Sequence, residues 1–168
     1  VRRVVSRYPS GLVGRAAVFL DRDGVLNRDL NYVHSADRFE PVPGAAEAIA
    51  WLNAQERKVI FVTNQAGIGR GYYSEADFHA FTAWMQAEFA ARGAPIDRVY
   101  FCPDHPEHGL GVYKRDTPMR KPGPGMLLQA ADELALDLSA STLVGDKEGD
   151  ITAARRAGCG RAYLILHG

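Results

Sequence analysis

Apolar residues come along this chain in short blocks of two kinds. Compact runs at Ala17–Leu20, Lys58–Val62, Asp97–Cys102, Ser141–Val144 and Arg161–Leu166 predict five strands. The first, three apolar residues after an alanine, suits a strand buried on both faces. Between the runs, apolar residues return at helical spacing. Ala45, Ala48, Ile49 and Leu52 share one face, and Phe78, Phe81, Met85 and Phe89 another. Leu127, Ala130, Ala131 and Leu134 mark a third helix, and Ile151, Ala154 and Ala157 a fourth. Ser74 followed by Asp77 predicts a capping box, Gly93 and Pro95 close the same helix, and Gly158 suits a C-terminal cap. Strands alternating with helices predict an α/β domain with a mostly parallel central sheet.

Three of the runs stop abruptly in polar residues. Ala17–Leu20 ends in Asp21-Arg22-Asp23-Gly24, Lys58–Val62 in Thr63-Asn64-Gln65, and Ser141–Val144 in Gly145-Asp146-Lys147. Ligands of an open parallel sheet bind beyond the carboxyl ends of its strands. Asp21, Asp23, Thr63, Asn64 and Asp146 are therefore expected on one crest. Gly24 lets the backbone turn, so that Asp21 and Asp23 converge. Paired carboxylates repel unless a cation or a proton joins them, and a few hard oxygens suit Mg2+. Arg120-Lys121-Pro122 precedes a helix, where a lysine is well placed for a phosphate. The triple-glycine loop Ala66–Gly71 is not a Walker A loop, because no Gly-Lys-Ser/Thr follows. Taken alone, Asp21-x-Asp23 also reads as an Asp-rich turn or as the metal pair of a glycosyltransferase. Neither explains Thr63, Lys121 and Asp146.

The chain has 168 residues, with 20 Lys+Arg balancing 20 Asp+Glu. No overall field favours nucleic acid or an anionic membrane, and no apolar run reaches transmembrane length. Residues 1–14 read as a surface arm without the long apolar segment of a signal peptide, and residues 15–168 as one domain. Cys102 and Cys159 make no disulfide framework, so a reducing cytoplasm is the default; a monomer is expected. Two connections, Arg28–Pro43 and Pro103–Pro124, are too long and irregular for simple links.

These elements, in order, resemble the four motifs of the haloacid dehalogenase-like (HAD) phosphatases: Asp21-x-Asp23, Thr63, Lys121 and Gly145-Asp146-x-x-x-Asp150. The resemblance spans residue 17 to about residue 160. It implies a Rossmann-like three-layer fold, here without room for a separate cap. It also implies Asp21 as nucleophile, Asp23 as general acid and base, and Thr63 and Lys121 holding the phosphoryl group. Mg2+ would be held by Asp21, the Asp23 carbonyl and Asp146, with Asp150 in support. The strings Phe19–Asn27, Val62–Ile68, Arg120–Pro122 and Val144–Lys147 are similar to those of the heptose 1,7-bisphosphate 7-phosphatase family, with the histidinol-phosphate phosphatases as the alternative. By that resemblance the substrate is a small sugar phosphate losing its C7 phosphate. Asp29, Asn31, Tyr32, Asn64, Gln65, Arg120 and Lys147 would contact it. A phosphate-binding module without turnover is the reading from another class, and the intact Asp21, Asp23, Lys121 and Asp146 argue against it.

One segment departs from the pattern. Relatives commonly carry a structural zinc on Cys-x-His and Cys-x-Cys, where this chain has Cys102, Asp104, Thr117 and Met119. Two usable ligands cannot close a tetrahedral site, and His105 and His108 are out of place. Structural zinc is expected to be absent, with the loop held by its prolines and by packing of Leu110, Val112 and Tyr113.

Overall fold

The structure, a computed structural model, describes residues 15–166. The expected arm at residues 1–14 lies outside the described residues. Five parallel strands form one sheet: β1 (Ala17–Leu20), β2 (Lys58–Asn64), β3 (Arg98–Cys102), β4 (Thr142–Gly145) and β5 (Arg161–Leu164). Their order is β3-β2-β1-β4-β5. The chain lays β2 and β3 down on one side of β1 and then crosses over to β4 on the other. β1, in the centre, is buried along its whole length, as its apolar run demands.

Strand alternation sends neighbouring side chains to opposite faces. Phe19, Ile60, Val62 and Leu143 pack with Met126, Leu127, Ala130, Ala153 and Ala154 of α4 (Gly125–Leu134) and α5 (Glu148–Ala157). Val18, Leu20, Val59 and Phe61 pack with Ile49, Met85 and Phe89 of α1 (Ala45–Ala54) and α3 (Glu75–Ala91). The result is a three-layer, HAD-like Rossmann fold. The Ser74–Asp77 capping box forms in both directions: the Asp77 N–H donates to Ser74 Oγ at 3.0 Å, and the Ser74 N–H to Asp77 Oδ2 at 2.8 Å. Neither long connection carries more than one turn of 3-10 helix, at Ala36–Arg38 and Gly111–Tyr113, so no cap domain stands among the described residues.

The structure corrects several details. β2 runs on through Thr63 and Asn64, because β3 extends beside it and pairs Thr63 with Phe101 and Asn64 with Cys102. The glycine loop contains a helical turn, α2 (Ala66–Gly69). Its glycines permit close contact, since a Cβ on Gly69 would come within 2.4 Å of the Pro103 carbonyl oxygen. α1 buries Ala46 and Ile49 rather than Ala48, and α5 buries Ala153 more deeply than Ile151. Leu110 and Val112 are 62% and 79% exposed and do not anchor the 103–119 loop. Tyr113 alone of that trio packs, against Ile68, Tyr73 and Phe78. Polar bonds hold the loop instead. Arg115 Nε pairs with the Asp104 carboxylate at 3.0 Å, the His105 N–H donates to the Tyr113 carbonyl at 3.0 Å, and the Leu110 N–H to the Gly69 carbonyl at 2.8 Å.

Candidate active site

The crest above β1, β2 and β4 gathers the strand-end residues. Asp21 leaves β1 with its N–H donating to the Val144 carbonyl at 3.0 Å, which ties it to β4. Lys121 Nζ lies between two buried carboxylates, 3.0 Å from Asp21 Oδ1 and 2.5 Å from Asp150 Oδ1. Two glycines make this closeness possible. Gly24 has φ +84°, and a Cβ there would sit 2.2 Å from Asp146 Oδ2. A Cβ on Gly145 would lie 2.3 Å from Asp150 Cβ. Asp21, Asp146 and Asp150 bring oxygens within 4.8 Å of one another. Asp150 completes this triplet in place of the Asp23 carboxylate, which the sequence had paired with Asp21.

Burial governs the charges. It pushes Asp21 up to about 6, against the pull of Lys121, while Asp150 and Asp23 push the same way as burial. For Lys121 burial favours proton loss, but Asp21 and Asp150 more than offset it and the ammonium is held above its ordinary range. Burial also raises Asp146. Its Oδ1 is buried without a hydrogen-bond partner, which is expensive unless something cationic completes it. Three carboxylates with one orphaned oxygen fit a small hard divalent cation.

Asp23 is held separately. Arg22 Nη2 donates to both its oxygens at 3.0 and 2.8 Å, Asn27 Nδ2 to Oδ1 at 2.9 Å, and Gln65 Nε2 to Oδ2 at 3.3 Å. Gln65 also donates to Thr63 Oγ1 at 2.8 Å and accepts from the Tyr73 hydroxyl at 2.5 Å. Burial keeps that phenol protonated, pushed up to about 12. Arg22, which the sequence reading did not single out, is part of this site. It is 1% exposed, its guanidinium lies over the Phe81 ring at 5.3 Å, and it also donates to the Val33 carbonyl. The available signal was a charge between two carboxylates at the end of a buried strand, which must find a partner inside. Asn64 turns its side chain to Lys121: its Nδ2 donates to the Lys121 carbonyl and its Oδ1 accepts the Lys121 N–H, both at 3.0 Å. That pair of hydrogen bonds fastens the end of β2 to the lysine.

The rim comprises the other nominated residues. Lys147 Nζ pairs with Asp29 Oδ2 at 3.2 Å, so these two engage each other. Asn31 and Tyr32 adopt left-handed φ values of 58° and 55°, and Tyr32 packs edge-on against Tyr72. Arg120 Nη1 donates to the Asp104 carbonyl at 3.1 Å. Arg70, which the sequence reading passed over, lies with its Cζ 6.0 Å from the centre of the Tyr32 ring.

Comparison with known proteins bears on this arrangement. Residues 18–76 match the model of haloacid dehalogenase-like hydrolases, and residues 118–168 match that of HAD-hydrolase-like proteins. The D-glycero-alpha-D-manno-heptose-1,7-bisphosphate 7-phosphatase of Burkholderia mallei is 55% identical over 155 residues, 89% of this chain and 79% of that protein. The beta-anomer enzyme of Vibrio cholerae is 46% identical over 93% of this chain and 84% of its own length. The D,D-heptose 1,7-bisphosphate phosphatase of B. bronchiseptica, solved in complex with magnesium and phosphate, superposes with a TM-score of 0.79 at 35% identity, covering 89% of this chain and 79% of that one. Identity at this level across nearly the whole described fold shows that the chain belongs to the heptose-1,7-bisphosphate 7-phosphatase family of haloacid dehalogenase-like phosphomonoester hydrolases.

Proposed function

We propose that this protein is a Mg2+-dependent phosphatase that removes the C7 phosphate of D-glycero-D-manno-heptose 1,7-bisphosphate through an aspartyl-phosphate on Asp21. The observation that carries the reading is the buried Asp21 at the end of β1, 3.0 Å from Lys121 and grouped with the orphaned oxygen of Asp146. Asp21 and Asp146, with the Asp23 backbone, would hold the Mg2+. When bound, the ion supplies charge neutralisation between the Asp21 carboxylate and a dianionic phosphate.

Asp21 attacks phosphorus in line: its oxygen–phosphorus bond forms as the bond from phosphorus to the C7 oxygen breaks. Asp23 gives a proton to the leaving alkoxide. In the second half, water attacks phosphorus, Asp23 takes the proton, and Asp21 leaves with its electron pair, releasing inorganic phosphate. Arg22, Asn27 and Gln65 position Asp23 for these transfers. Lys121 and Thr63 hold equatorial oxygens where charge accumulates, a role worth about 3 kcal/mol per donor. Asp150 and Asn64 fix the lysine from its head and its backbone.

The 103–119 loop is read as needing no zinc. Of the four positions, Cys102 alone offers a thiol, and burial pushes it up to about 11. Asp104 is engaged by Arg115, and His105 Nδ1 accepts the N–H groups of Glu107 and His108. Two free cysteines fit a reducing cytoplasm, and a monomer is the expected state, to be checked by size-exclusion chromatography. No helix among the described residues is long and apolar enough to cross a membrane.

The test is phosphate release from the heptose 1,7-bisphosphate and from histidinol phosphate, with and without Mg2+. Strong preference for the first, dependent on Mg2+ and lost in Asp21→Asn, is expected. Equal or reversed preference would move the protein to the histidinol-phosphate phosphatases. Stoichiometric zinc that survives chelation would overturn the reading of the loop.

A further inference from the structure

The triple-glycine loop Ala66–Gly71, which no step of the chemistry uses, lies against a buried phenol. Tyr73 is 7% exposed and packs with Ile68 and Phe78. The His34 imidazole stacks on its ring at 4.5 Å, nearly parallel. Gly67 comes so close that a Cβ there would sit 2.3 Å from a ring carbon. Two segments far apart in sequence thus clamp the ring, and its hydroxyl reaches Gln65 Oε1 at 2.5 Å.

From that hydroxyl, donors and acceptors run one way. Gln65 is buried, and among the described residues its Oε1 receives no donor but the Tyr73 O–H. The other end of the amide, Nε2, donates to Thr63 Oγ1 at 2.8 Å and to Asp23 Oδ2 at 3.3 Å. An ionised carboxylate can only accept, so it too requires the NH2 end on its side. Thr63 is also buried. Its Oγ1 accepts from Gln65, and among the described residues no acceptor takes its own hydrogen. A hydroxyl has one hydrogen to give, and this one is left for a group on the crest. Burial holds the Tyr73 phenol protonated, so it stays a donor.

We infer that Tyr73 is a positioning residue for phosphoryl transfer: its hydroxyl locks the orientation of the Gln65 amide, and that orientation makes Thr63 a donor to the phosphoryl group. This rests on the phosphatase reading and deepens it. Tyr73 acts through Gln65 and not on the reacting atoms. Without its hydroxyl, Gln65 Oε1 becomes a buried acceptor lacking a donor, which is costly. The amide is then released to turn its oxygen toward Thr63, whose hydrogen goes to Gln65 instead of to phosphate. The loss falls on the transition state, where charge accumulates on the equatorial oxygens.

The full chain with Mg2+ is assayed on heptose 1,7-bisphosphate and on an aryl phosphate. Tyr73→Phe keeps the ring in its clamp and removes one hydroxyl. It is expected to lower kcat about 10-fold on both substrates, with KM changed by less than about twofold. The loss should disappear where its route is cut. In a Gln65→Leu background, Tyr73→Phe should lower kcat by no more than about a further twofold. If the leucine variant does not fold, Thr63→Val takes its place with the same expectation. Unchanged kcat in Tyr73→Phe, a loss carried by KM, or an equal loss of kcat in both backgrounds would overturn the inference. A lower melting temperature with kcat unchanged would mark a packing role only and overturn it as well. The wild type judges the underlying reading separately. Failure to release phosphate from either substrate with Mg2+ would defeat the phosphatase reading, whereas an active wild type with an equally active Tyr73→Phe would defeat this inference alone.

Discussion

The floor and the rim of this crest handle charge in opposite ways. On the floor, Asp21, Lys121 and Asp150 are buried and matched, each oxygen or ammonium within 3.0 Å of its partner. On the rim, Arg120 donates only to the neutral Asp104 carbonyl, and Arg70 Nε is buried without a partner. The floor is organised before substrate arrives, as electrostatic stabilisation of a transition state requires, because no reorganisation is then needed at the moment of reaction. A matched buried group should therefore affect turnover of every substrate alike.

The largest effect should come from the floor. Asp21→Asn removes the nucleophile but keeps its size, and should lower kcat by at least about 10^4-fold, as loss of a covalent catalyst does elsewhere. Phosphate release measured on the bisphosphate and on an aryl phosphate should show the same loss. Lys121→Met should come next, with about 10^2- to 10^3-fold lower kcat on both substrates. It also leaves Asp150 buried and unpaired, so its melting temperature should fall as well. A Lys121→Met effect confined to the bisphosphate would break the distinction between floor and rim.

Mg2+ sharpens the comparison through pH. Asp21 is pushed up to about 6 by burial, and the cation needs it ionised. Mg2+ binding must then displace a proton below that value, so affinity should weaken as pH falls through about 6 and level off above it. Calorimetric titration at several pH values checks the sign, and binding that strengthens toward acid would refute it. Asp146→Asn should weaken Mg2+ binding at all these pH values.

The smallest effects belong to the loop beyond the rim. Arg115 is 64% exposed although Asp104 is 3% exposed, so solvent screens the pair, and Arg115→Gln should cost only about 1 kcal/mol in denaturant unfolding. Leu110→Ser and Val112→Ser, at positions that are largely exposed, should change stability by no more than about 0.5 kcal/mol. A large loss at either would restore the packing role that the structure removes from them.

Much of this molecule was legible along the chain. Strand and helix periods reflect burial on two faces or on one, so the five strands, the capping box and the crest at the strand ends followed from residue order. So did Asp21, Thr63, Lys121 and Asp146, since each sits where an apolar run or a turn abruptly ends. The charge pairing was not legible. Whether a lysine is bound or free depends on which carboxylate lies within a few ångströms, and those partners are far off in sequence: Asp29 for Lys147, Asp150 for Lys121. Nothing in residue order set Arg22 apart from the other cations; the fold buried it against Asp23. The sequence by itself determined the elements and the chemistry available at their ends, because both follow from local period and residue type. Only the tertiary structure decided which charges pair with which, because electrostatic pairing depends on distance in space and on exclusion of water.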